Sequence, residues 1–149
     1  MQVKYTNRKV DEENGLIHET EYALEIVHMT IKGGMLRSKM VSDAFIAPRE
    51  DPIDQTVAVV TFPKLMGCLA SGTITGKTWK MDGKGDPGEL VDGYTQDART
   101  LTLDDFLSMP DEVGVLWGAA VIRENPTLDS VDYGQDKQPI VTEDAAKKS

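Results

Sequence analysis

The sequence predicts a small, mainly α-helical domain, with an α+β fold as the alternative class, and three features carry that reading. Val113, Leu116, Trp117, Ala120 and Val121 recur at i, i+3, i+4, i+7 and i+8, a spacing that gathers apolar side chains on one helix face. Leu36, Met40, Val41, Ala44 and Phe45 repeat at helical spacing between the Gly33-Gly34 break and Pro48. Between Ser71 and Thr100, glycines at Gly72, Gly76, Gly83, Gly85, Gly88 and Gly93 predict a long mobile loop over residues 72–100 rather than regular structure.

Taken in chain order, Asp11-Glu12-Glu13-Asn14-Gly15 is a turn cluster between Val3, Tyr5 and Val10 on one side and Leu16 and Ile17 on the other, which admits an N-terminal β-hairpin. Thr20 to Ile31 fits two periods. Tyr22, Leu24 and Ile26 alternate as in a strand, while Tyr22, Ile26 and Met29 share a helical face. Asp51-Pro52 supplies a cap and a first-turn proline, with Asp54 at the positive end of the helix dipole, so a helix starts at Pro52. Pro63 predicts a kink or a restart capped by Thr61, with Phe62, Leu65, Met66 and Leu69 turning inward and Gly72 marking the end.

Thr102 and Asp105 have the spacing of a capping box with the shorter acid in place of glutamate, which predicts a short helix through Leu107. Pro110-Asp111-Glu112 then opens the helix that carries Trp117, and Asn125-Pro126 closes it. Residues 1–126 therefore read as one domain, and Thr127 to Ser149, with scattered Leu128, Val131, Ile140 and Val141, as an extended or disordered tail.

The chain of 149 residues has a net charge of -9, which opposes binding to nucleic acid because phosphate contacts draw on clustered cations. Lys4, Arg8 and Lys9, and then Lys32, Arg37 and Lys39, are small clusters that read as solvated surface. No apolar run reaches the roughly 20 residues of a bilayer span, and Met1 to Val10 lacks a secretory stretch, so the chain is expected to stay where it is made. Cys68 sits among Leu65, Met66 and Leu69 and reads as a buried hydrophobe.

Candidate chemistry fails motif by motif, and no enzyme, cofactor or metal is expected. Gly76-Lys77-Thr78 ends like a phosphate-binding loop, but Ser71 stands where the first glycine belongs, and Met81 to Gly88 cannot open a helix. Asp82, Lys84, Asp86 and Glu89 resemble a calcium loop only until Lys84 takes a ligand position and Pro87 the obligatory glycine. His18 and His28 lack metal-ligand spacing to each other or to Cys68, and Ser71 lies outside a G-x-S-x-G turn. Asp104-Asp105 and Asp111-Glu112 suit helix starts better than acid–base work.

What remains is apolar surface. Seven methionines exceed what a tightly specified core needs, and Met29, Met35, Met40, Met66 and Met109 would soften a groove or fill the core. Gly114, Gly118, Ala119 and Ala120 around Trp117 permit close approach of another helix.

Leu101-Thr102-Leu103-Asp104-Asp105-Phe106-Leu107-Ser108-Met109-Pro110-Asp111-Glu112, then Trp117 to Val121 and Asn125-Pro126, resembles the C-terminal helices of tail assembly chaperones of long-tailed phages. The resemblance covers residues 101–126. It implies a non-enzymatic protein of the host cytoplasm that binds a hydrophobic tape-measure client and recruits tail-tube subunits, with no membrane or nucleic-acid partner. The face it implies for partner binding is Phe106, Leu107, Met109, Val113, Leu116, Trp117 and Val121. The alternative is a structural virion subunit, a connector or tail component, that orders on assembly; a homo-oligomer is compatible with either.

Overall fold

The computed structural model describes residues 1–128, so the expected tail from residue 129 onward lies outside the described residues. The chain opens with β1 (Gln2–Asp11) and β2 (Leu16–Ile26), then α1 (Ile31–Ile46) and α2 (Pro52–Thr56), a π-helical segment (Val57–Thr61) and α3 (Phe62–Gly67). It continues through β3 (Leu69–Met81), β4 (Pro87–Asp97), a 3₁₀ turn (Ala98–Thr100), α4 (Leu103–Leu107) and α5 (Asp111–Glu124).

The mainly α expectation is overturned. An antiparallel sheet of four strands in the order β1-β2-β3-β4 forms one layer, the helices form the other, and the class is α+β. The Gly-rich loop expected over 72–100 is the second hairpin of that sheet. Two of its glycines serve close packing: a Cβ on Gly72 would lie 2.8 Å from the Leu24 side chain, and one on Gly76 would occupy the space of the Tyr94 ring. Only the turn itself needs glycine for its backbone, at Gly85 with φ +83°. There Asp82 Oδ1 accepts from the amides of Lys84 (2.7 Å) and Asp86 (2.9 Å).

The same sheet takes Thr20 to Ile26 as strand, and Ile31 opens α1. Tyr22, Leu24 and Ile26 are buried and Glu21 is exposed, the alternation of a half-buried strand. In the β1–β2 turn, the carboxylate of Asp11 accepts from the Asn14 backbone (3.2 Å) and side chain (2.8 Å), and Gly15 takes φ +65°.

Two helix boundaries also differ from expectation. Gly33-Gly34 lies inside α1, which begins two residues earlier where Thr30 Oγ1 accepts from the Gly33 amide at 3.0 Å. Gly33 is needed because its Cα faces the carbonyl of Gly67 across the α1–α3 contact. α3 restarts at Phe62 after Thr61, with Pro63 in its first turn and no side-chain cap from Thr61, and it ends at Gly67 rather than at Gly72, where β3 already runs. The backbone stays right-handed helical from Val57 to Phe62, and the π-helical segment accommodates the carbonyl that a proline cannot bond.

Val3, Tyr22, Leu24, Ile26, Leu69 and Ile74 from the sheet pack on Phe62, Leu65, Met66, Val113, Trp117 and Val121 from the helices. Phe106 stacks obliquely on Phe62 (5.1 Å) and meets Trp117 edge-on (5.9 Å, 78°), joining α3, α4 and α5. On the opposite sheet face, Val10, Ile17, Trp79 and Leu90 stand side by side across the four strands, and Ile17 is buried there. This small cluster braces the strand ends that the helices do not cover.

Candidate functional site

The face expected to bind a partner is divided by the structure. Val113, Trp117 and Val121 are fully buried, Phe106 and Met109 are half-buried against the same core, and Leu107 is half-buried. Leu116 alone of the seven is exposed, at 41%. The apolar stripe of α5 is therefore the face turned into the domain, and the seven residues form no continuous surface. Gly114 and Gly118 face open space, so no helix among the described residues uses them for close approach.

Exposed apolar surface is concentrated on α1 instead. Its Thr30 cap and the absence of any internal proline let sixteen residues run as one helix, yet none of them is buried. Leu36 and Met40 pack toward the core. Ile31, Met35, Ser38, Ser42 and Phe45 follow one another at i, i+4, i+7, i+11 and i+14 along the outer face, with Ile46 beside them. Exposure of its apolar residues runs from 66% at Phe45 to 86% at Ile31.

The stripe itself carries no charge. Lys39 and Asp43 lie beside it and pair at 2.8 Å, both exposed. Beside it lies a cavity of about 250 Å³ lined by Met40, Ala44, Ala47, Ala58, Phe62 and Leu103, with Asp43 and Arg49 at its edge. Arg49 holds this end of the surface in place. Its amide donates to Gln55 Oε1 at 2.8 Å and its guanidinium to Asp104, tying the α1–α2 connection to α4. Sequence periodicity grouped Phe45 with Leu36, Met40, Val41 and Ala44; the signal it missed was the second register, in which Ile31, Met35 and Phe45 align through Ser38 and Ser42.

Several of the motifs weighed for chemistry are engaged structurally. Gly76-Lys77-Thr78 lies within β3 and opens into no helix. His18 Nδ1 lies 3.1 Å from Thr78 Oγ1, and His28 Nδ1 lies 3.1 Å from the Glu124 carbonyl oxygen. Asp105 is held below the ordinary aspartate value by hydrogen bonds from the Thr102 backbone and side chain, the reciprocal half of the capping box. Asp11 is lowered likewise by the Asn14 side chain and amide, and Tyr22 is raised by burial. Among the described residues, no three His, Cys, Asp or Glu side chains converge as metal ligands, and no helix is long and apolar enough to cross a membrane. No family model, curated protein or solved structure matches the chain.

Proposed function

We propose that the protein is a non-enzymatic assembly chaperone of the phage-tail type, acting in the host cytoplasm, which shields a hydrophobic tape-measure-like client. The observation that carries this reading is the uncharged outer stripe of α1, where Ile31, Met35, Phe45 and Ile46 stand in solvent on a helix with no buried residue. An apolar helix face of this spacing is the complement of an amphipathic client segment, and methionine adapts to varied client side chains. The docking face is accordingly the outer stripe of α1, rather than the α5 face implied by the resemblance.

Co-expression of the chain with tape-measure fragments tests the reading: the fragments become soluble and co-purify, and Met35→Ser with Phe45→Ser abolishes both effects. Unchanged solubility and no co-purification would sink it. A structural virion subunit is the second reading, favoured by the two strand edges of the sheet that no strand pairs among the described residues. Mass spectrometry of purified particles separates the two, because a chaperone is absent from them.

A further inference from the structure

The sheet ends in two strands, β1 and β4, each paired on one side only among the described residues, and the two edges carry opposite charge. Met1 and Ile26 exchange both backbone hydrogen bonds, so the bonded pairs of the first hairpin are the odd residues of β1. The even residues Lys4, Thr6 and Arg8 therefore turn their backbone donors and acceptors to the free edge. Carried through the β2–β3 and β3–β4 registers, the same alternation leaves Gly93 and Thr95 facing outward on β4, and Asp97 too at the strand end, where its carbonyl also accepts from Thr100 Oγ1 (2.7 Å) and its carboxylate from the Arg99 amide (2.9 Å).

Lys4 and Lys9 on β1, and Glu89 and Asp92 on β4, are exposed and form no ion pair among the described residues. We propose that copies of this chain associate head to tail, β4 of one copy pairing antiparallel with β1 of the next to continue the sheet. The orientation needs no rearrangement, since β1 and β4 already run antiparallel within one chain.

Charge selects one register. With Thr6 opposite Thr95, the outward backbone groups form bonded pairs, Lys4 falls opposite Asp97, and Lys9 falls opposite Asp92. Sliding the strands by two residues one way removes both ionic pairs. Sliding them the other way also removes both and sets Asp92 against Asp11. Two-fold pairing is opposed as well: β1 against β1 gathers Lys4, Arg8 and Lys9, and β4 against β4 gathers Glu89, Asp92 and Asp97. The contact is heterologous, so it builds a ring or a filament rather than a closed dimer. It does not involve the α1 stripe and stands independently of client binding.

Sedimentation of the full chain over a range of concentration and salt tests this. Wild type associates with rising concentration, and salt weakens the association. Lys9→Glu and Asp92→Lys, each checked for native circular dichroism, shift association to roughly ten-fold higher concentration, and an equimolar mixture of the two recovers the wild-type behaviour. Thr95→Pro, which removes an edge donor unused within the sheet, gives the same loss by a route independent of charge. A monomer at every concentration, association indifferent to both charge reversals, or a mixture that fails to recover overturns the proposal. Client capture by Lys9→Glu remains intact, which separates failure here from failure of the chaperone reading.

Discussion

Asn125 Oδ1 accepts a hydrogen bond from the backbone amide of Met29 at 2.8 Å, joining the end of α5 to the link between β2 and α1 across 96 residues. The same side chain donates to the carbonyls of Val27 (3.2 Å) and Val121 (3.0 Å) and approaches Cys68 Sγ at 3.4 Å. Asn125 is the buried polar residue at the point where the sheet, α1 and α5 converge. Asn125→Ala strands several of these groups without a partner, and a loss of about 2 kcal/mol is expected. Urea denaturation checks it; a loss within about 0.5 kcal/mol, as for a surface change, contradicts the assignment.

Trp117 is fully buried, and its indole Nε1 has no hydrogen-bond partner among the described residues. Trp117→Ala removes the largest core side chain and is expected to cost about 3–5 kcal/mol. Trp117→Phe keeps much of the ring volume and removes the unpaired donor, so its cost is the smaller. Both are measured by urea unfolding. Near-native stability for Trp117→Ala would show that this face of α5 is not core.

Two glycines of similar appearance respond in opposite directions. A Cβ on Gly33 would collide with the Gly67 carbonyl, a backbone group that cannot rotate aside, whereas one on Gly118 meets nothing within 4 Å. Gly33→Ala is expected to destabilise by about 1–3 kcal/mol. Gly118→Ala is expected to stabilise by about 0.5–1 kcal/mol, through helix propensity and a less flexible unfolded chain. Thermal or urea midpoints of the pair decide it, and equal shifts would refute the packing account of α1 on α3.

Acid sensitivity follows from Asp105 and Asp11, both lowered by hydrogen bonds to their carboxylates. A group whose pKa is lower in the folded state stabilises above the ordinary aspartate value of 3.8, and that contribution is lost as pH falls through the folded-state value. Urea midpoints are therefore expected to drop from neutral pH into the acid range, and Asp105→Asn flattens part of the drop. An unchanged slope in that variant would show that the capping box contributes nothing to it.

Capping was legible because it is local. Thr102 and Asp105 form the capping box that their spacing predicts, Asp51 caps the helix opened by Pro52, and Asn125-Pro126 ends α5. Each depends on groups within a few residues, so no distant partner can override it. The α5 stripe was legible as amphipathic, but amphipathicity does not say whether an apolar face meets the core or a client.

Sequence alone determined the caps at Asp51 and Thr102, the end of α5 at Asn125, the Asp11 to Gly15 turn and the acidic charge. Tertiary structure decided the rest: strands at 69–81 and 87–97 in place of a loop, the burial of Trp117 and the exposure of Phe45. The physical reason is that a strand is stabilised by its neighbours. Gly72 and Gly76 weaken β3 in isolation, and become favourable only once Leu24 and the Tyr94 ring occupy the space their missing side chains leave.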